Sequence, residues 1–378
     1  MDPTTPFPPR PRRSPFGAFV TSMAIATCLA GCALPPPAQD VKPAAAPAAV
    51  GSPATASSPA TADAPASAGA DAPRDLDAER LFGAIVKITV HAIPNARSNA
   101  TLGNEREGTG IVIGENGLIL TIGYLIVEAD DVSIVDSKGR TLGARVVGYD
   151  HATGFGLLRT IAPLAVKPVP FGDSGKLAER DPVMIASSGD DSVSFAYIVS
   201  KRPFSGNWEY TLDQALYTSP PMMNWSGAAL FDRDGKLVGV GSLIVREAND
   251  EEPRIPGNVF VPIDLLKPIL ADLERTGRRA GPPRPWLGVA AEEISGRLVV
   301  ARVSEGGPAD RAGIKAGDII LGVGTEVVRT QPEFYKKVWA LGAAGTVVPL
   351  KVLQGVDVKD VPVESIDRVD YFRARTTY

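Results

Sequence analysis

Cysteine is almost missing from this 378-residue chain: it has two, Cys28 and Cys32, both close to the N-terminus. The domains further on therefore hold no disulfide and no thiol chemistry. Histidine is as scarce, with only His91 and His151, and no pair of metal ligands sits at helical spacing. A histidine-built metal centre is excluded on those grounds, and no metal or cofactor is expected. Charge of one sign is lacking too, since 39 basic residues face 43 acidic ones for a net charge of −4. No basic run is interleaved with aromatics to follow a phosphate backbone, so nucleic acid is not an expected partner. Aromatics make up only 6% of the chain, which suits small, glycine-rich β folds.

What is present begins with "PRPRRSPFGAFVTSMAIATCLAGCA". Arg10, Arg12 and Arg13 precede an uncharged stretch from Phe16 to Gly31 that ends in small residues, the form of a secretory signal. A spanning helix needs about 20 mostly apolar residues, and this stretch is shorter and diluted by alanine, threonine and glycine. Leu29-Ala30-Gly31-Cys32 resembles the lipobox of bacterial lipoproteins, which implies cleavage after residue 31 and lipid on Cys32. Several acyl chains would hold the protein stably at a membrane, expected to be the outer membrane on its periplasmic face. Arg12-Arg13 also hints at a twin-arginine signal, but the residues after it fit that pattern poorly.

Residues 32–75 are almost wholly Ala, Pro, Ser, Thr and Gly and cannot bury enough apolar surface to offset chain entropy. They are expected to form a tether reaching on the order of 100 Å at about 3.1 Å per residue. Residues 76–276 then read as one domain: a helical start, "DLDAERLFG", followed by short strands broken by Gly, Asp and Asn turns. Asn116-Gly117 and Lys138-Gly139 are hairpin signals, and strands at this spacing point to a barrel or sandwich. A helix over "DLLKPILADLERTG" closes the domain, with Leu265, Leu266, Ile269, Leu270 and Leu273 on one face and Gly277 ending it. After "RRAGPPRP" a second, α+β module runs over 283–356, leaving a charged tail at 357–378 whose "DVPV" is a candidate added strand.

Three stretches, "GTGIVIGENGLILTIGYLIVEADDVSIV", "VVGYDHATGFGLLRT" and "MMNWSGAALFDRDGKLVGV", together resemble the HtrA/DegP family of envelope serine proteases. The resemblance implies a mainly β chain: a trypsin-like double β-barrel followed by an α+β PDZ domain. Residue by residue it places Ser226 at the nucleophile position, but Tyr124 where the family has the histidine base and Gly154 where it has the aspartate. Asn224 replaces the glycine two before the serine, and Trp225 adds bulk to the turn.

A serine hydroxyl needs a neighbouring base held in the right orientation, and a phenol titrating near 10 is a poor base at pH 7. His151 reads as an exposed loop histidine, His91 as a strand residue far from the serine, and Asp150 and Asp213 as turn and edge residues. The expectation is a pseudoprotease, with a working serine endopeptidase of envelope quality control as the alternative.

In the second module, Trp286-Leu287-Gly288-Val289 resembles the carboxylate-binding loop of PDZ domains. The resemblance implies that Leu287, Gly288 and Val289, with Phe334 and Val338 of the helix "QPEFYKKVWALG", take a polypeptide C-terminus as an added strand. Unfolded or envelope proteins are the expected partners, in a scaffold, adaptor or holdase role. Leu81 and Phe82 offer little apolar contact for a trimer, and the sequence leaves the oligomeric state open.

Overall fold

A computed structural model of the chain describes residues 77–189, 192–206 and 210–373. The signal, Cys32 and the tether lie outside the described residues. The described chain opens with α1 (Ala78–Gly83), capped by the Asp77 carboxylate, which accepts from the Arg80 N–H at 3.0 Å. β1 (Ile85–Ala92), α2 (Asn99–Leu102), β2 (Glu105–Val112), β3 (Leu118–Ile122), β4 (Ala129–Val135), β5 (Thr141–Tyr149) and β6 (Phe155–Thr160) follow. The six strands close into an antiparallel barrel in the order β1-β2-β3-β6-β5-β4. Both expected hairpin glycines sit at positive φ, Gly117 at 73° and Gly139 at 77°, where their turns need it.

A second closed barrel is built from β7 (Pro182–Ala186), β8 (Val193–Gly206), β9 (Tyr210–Ser219), β10 (Ala229–Phe231), β11 (Leu237–Val245) and β12 (Gly257–Pro262). Closure removes exposed strand edges, and each barrel is filled from within by aliphatic and phenylalanine side chains. Ile88, Ile111, Leu120, Ile134, Phe155 and Leu157 are fully buried in the first, and Ile185, Ile198, Leu216, Leu230 and Phe260 in the second.

The closing helix is shorter than expected. A 3-10 turn at Ile263–Leu265 and an irregular turn come first, and α3 spans only Leu270–Thr276. Pro268 is the reason: it lacks an N–H and disfavours helical backbone at Lys267. Gly277 does end α3, in the left-handed region at φ 76° with its N–H donating to the Leu273 carbonyl.

Beyond the linker come β13 (Val289–Ile294), β14 (Arg297–Val303), α4 (Pro308–Arg311), β15 (Ile319–Val323), β16 (Glu326–Val327), α5 (Gln331–Ala340), β17 (Val347–Gln354) and β18 (Asp357–Glu364). The strands form a sheet in the order β13-β14-β15-β17-β18, with β16 beside β15. The α5 N-terminus is a reciprocal cap: Thr330 Oγ1 accepts from the Glu333 N–H, and the Glu333 carboxylate accepts from the Arg329 N–H. β18 pairs along all of β17, so the module runs to Glu364 rather than to residue 356, and "DVPV" is part of that strand.

The end of the described chain then turns back. Trp286 and Ile366 exchange backbone hydrogen bonds, and α6 (Arg368–Tyr371) packs Tyr371 between Trp286, 4.6 Å away centroid to centroid, and the Arg97 guanidinium of the first barrel. The Arg373 N–H donates to the Glu128 carboxylate at 2.8 Å.

Arg106 is a buried polar anchor of the first barrel. It is 5% exposed and donates to the carbonyls of Gly103, Tyr124 and Val127 and to Ser98 Oγ. Arg106→Ala leaves several buried acceptors unmet and is expected to destabilise the chain by about 3 kcal/mol in urea unfolding. The exposed His91→Ala should change stability by less than about 0.5 kcal/mol in the same assay.

Candidate active site and peptide groove

Residues 124, 154 and 226, singled out by the resemblance, lie together. β3 pairs with β6 so that Ile122 faces Phe155, and just beyond, the Gly123 N–H donates to the Gly154 carbonyl at 2.7 Å. That contact sets Tyr124, on a 3-10 turn at Gly123–Leu125, beside Gly154. The serine turn reaches them from the second barrel. The Thr109 N–H donates to the Ser226 carbonyl at 2.8 Å, and the Gly227 N–H to the Gly241 carbonyl at 2.9 Å. Gly227 sits at φ 75°, and a Cβ there would fall 2.2 Å from the Thr109 carbonyl oxygen, so only glycine fits.

Tyr124 Oη lies 2.8 Å from Ser226 Oγ and 2.9 Å from the Ser242 carbonyl oxygen. The phenol has one proton for two oxygens. A carbonyl only accepts, so when Ser242 takes that proton the serine hydroxyl must donate to the phenol oxygen. Either way the phenol stays neutral: burial pushes its pKa up from 10 to about 12, against the smaller opposing effect of its contacts with Ser226 and Trp225. A neutral phenol is not a base for Ser226 at neutral pH.

Position 154, a glycine, offers Tyr124 no carboxylate. Gly154 is at φ 88°, and a Cβ there would point toward Tyr210, 3.8 Å from the ring carbon that carries the hydroxyl. Tyr210, 3% exposed, and Ile122 border that position, and Tyr210 shares a 2.5 Å hydrogen bond with Ser242 Oγ. Its pKa is raised by burial as well. Gly123 accommodates a third ring, because a Cβ would lie 2.0 Å from Tyr149 Cε2. Tyrosines thus pack over the positions where the resemblance implies a histidine and an aspartate. Tyr210 and Tyr149 carry no motif of their own, and sequence reading missed both.

The other candidates stay away from Ser226. Asp150 is 3% exposed and accepts from Thr153 Oγ1 at 2.6 Å, with Arg279 3.4 Å away, which is a turn role. Asp213 pairs with Lys336 at 2.9 Å, and His91 is an exposed strand residue 3.9 Å from Glu105. His151 departs from expectation. It is half-buried, with its ring 3.9 Å from Tyr149 and stacked near Phe372, because the returning tail covers it. Burial, then Arg368 and Arg278, hold its pKa well below the usual histidine value. Asn224 is exposed, and Trp225 and Ser226 are half-buried. Beside Tyr124 a cleft of about 480 Å³ opens, walled by Arg97, Val127, Trp286, Ser304 and Tyr371.

The second candidate site is the groove between β13 and α5. Gly288 takes φ 77°, where the loop needs glycine, and its carbonyl accepts from the Ser304 N–H at 2.8 Å. Leu287, Val289, Phe334 and Val338 converge, and each is 3% exposed or less. Two helix residues not foreseen from the sequence also face β13. Gln331 Nε2 donates to the Ala291 carbonyl at 2.9 Å, and Tyr335 Oη lies 3.4 Å from the Val289 carbonyl. Polar residues one turn apart on the stripe of Phe334 and Val338 were the available signal.

Among known families, residues 108–240 match the trypsin-like peptidase domain and residues 285–364 the PDZ domain. Among curated proteins, a probable periplasmic serine endoprotease DegP-like of Rickettsia conorii is 31% identical over 232 residues, 57% of this chain and 44% of the relative. The Rickettsia prowazekii counterpart is 28% identical over 275 residues, 68% of this chain and 52% of the relative. The chain thus spans about half the length of the curated relatives it matches. Among solved structures, the HtrA-type protease AlgW with decapeptide aligns at TM-score 0.48 and 18% identity, covering 79% of this chain and 98% of that one. A serine endoprotease from Yersinia pestis aligns at 0.45 and 23%, covering 76% and 96%.

The buried phenols predict alkaline behaviour. The unfolded chain ionises tyrosine near pH 10, whereas folded Tyr124 holds its proton to about pH 12. Above pH 10 the unfolded state therefore binds fewer protons, so the phenol's contribution to stability is level below pH 10 and is lost as pH rises from 10 toward 12. Urea unfolding followed across that range should show the fall, with phenolate absorbance appearing as the chain unfolds. Tyr124→Phe should lessen the fall.

Proposed function

We propose that this trypsin-like peptidase domain, joined to a PDZ domain, is a non-cleaving polypeptide-binding protein of the cell envelope, held at the membrane by lipid on Cys32. It acts as a scaffold, adaptor or holdase. The observation that carries the proposal is the Tyr124 to Ser226 contact: a neutral phenol lies 2.8 Å from the serine, and no carboxylate stands at Gly154. Loss of a triad member typically costs about 10⁴ to 10⁶ in turnover, and here two are replaced. Changing Tyr124 to histidine would still leave the imidazole without an orienting carboxylate, since position 154 is glycine.

Export to the periplasm is supported by the relatives, which are named as periplasmic, and by the basic-then-apolar N-terminus. The lipobox-like Leu29 to Cys32 supports anchoring. Polypeptide C-termini or unfolded envelope proteins are the proposed ligands, taken at the groove of Leu287, Gly288, Val289, Phe334 and Val338, with strand addition along β13 as the mode.

Incubation of the mature protein with unfolded casein should give no fragments beyond those made by Ser226→Ala. Serine-dependent fragments would contradict the proposal. In cells fed a radiolabelled fatty acid, the wild type should carry label and sediment with membranes, and Cys32→Ala should do neither. An unlabelled wild-type chain would refute the anchor.

A further inference from the structure

A strand that adds to β13 must bond its outward-facing backbone groups. The inward side is already used: Gly288 and its alternate neighbours face β14, which pairs with β13 from Val289 to Ile294. The outward carbonyls include those of Val289 and Ala291, two residues apart and on the side of α5. Both already have partners. Ala291 receives Gln331 Nε2, which also lies 3.4 Å from Tyr335 Oη, and Val289 receives Tyr335 Oη. A third tie comes from β13 itself, where the Glu293 carboxylate accepts the Gln331 backbone N–H at 3.0 Å.

These contacts occupy the place of the ligand. Neighbouring strands lie about 4.8 Å apart, so a ligand strand needs that gap along β13 before it meets the helix. A side chain that bonds β13 directly from α5 spans the gap. Gln331 and Tyr335 are 9% and 3% exposed, and the four apolar residues below them are closed off from solvent.

We propose that Gln331 and Tyr335 form an internal latch that stands in for the ligand strand. A polypeptide C-terminus enters by displacing their side chains from the Ala291 and Val289 carbonyls, and the latch sets the groove's affinity. The exchange is close to even in hydrogen bonds: each carbonyl trades a side-chain donor for a ligand amide, and the released side chains regain water. What the ligand gains is its own apolar burial and the contact of its carboxylate with the loop at Gly288. The latch therefore rejects short or polar segments and admits those with an apolar end. The proposal rests on the peptide-binding reading of this groove.

The test is fluorescence anisotropy with the full chain and a pool of fluorescein-labelled decapeptides. The pool is randomised at the last positions and carries free C-terminal carboxylates; an amidated pool serves as control. Removing one donor should tighten binding, so Gln331→Ala is expected to bind the free-carboxylate pool about tenfold more tightly than wild type, and Tyr335→Phe several-fold more tightly. If Gln331→Ala does not fold, Gln331→Met keeps the length without the donor and is read in the same way. Binding by wild type that is unchanged or weaker in the variants overturns the latch and leaves the peptide-binding reading standing. No binding by wild type or by any variant overturns both.

Discussion

Ser226 is held in place by contacts that do not use its hydroxyl. Its carbonyl accepts from the Thr109 N–H, the N–H of the next residue donates to the Gly241 carbonyl, and Gly227 lies too close to Thr109 for any side chain. Gly241 is bound by the same crowding, since a Cβ there would fall 2.1 Å from the Trp225 carbonyl oxygen. The turn is thus part of the seam between the barrels. None of these contacts depends on the residue at position 124, so the geometry of the turn does not by itself require protease chemistry.

Around it, tyrosine side chains pack closely. Tyr124 and Tyr210 meet across Ser242, one at its carbonyl and one at its hydroxyl, and Tyr149 covers Gly123. Each ring is satisfied or desolvated in its neutral form, and the raised pKa values follow from that burial. A histidine and an aspartate would bring charge into the same space. The positive φ of Gly154 adds a second obstacle, because a side chain at that backbone position is strained.

Much of this was legible in the sequence. The order and spacing of the three motif stretches point to residues 124, 154 and 226; in space the β3 to β6 register sets 124 beside 154, and the Tyr124 to Ser226 contact adds 226. Glycines at 117, 139, 277 and 288 mark turns by a backbone requirement that sequence states directly. Pro268 was an available signal for the split before α3, outweighed by the leucine pattern around it. Tyr210 was not legible, because its role depends on a missing side chain at Gly154, far away in the chain. The tail was illegible for the same reason: Tyr371 has no periodic pattern, and its partners Arg97 and Trp286 come from two different domains. Gln331 and Tyr335 lay between, visible as polar residues on an apolar stripe but without meaning until β13 was placed against them.

The central claim is that Ser226 has no base to activate it. Exposure of the purified chain to a fluorophosphonate that reacts with activated serines, followed by intact mass measurement at neutral pH, tests it most directly. The expected result is an unmodified mass, with the wild type as unreactive as Ser226→Ala. A stoichiometric adduct that Ser226→Ala abolishes would contradict it.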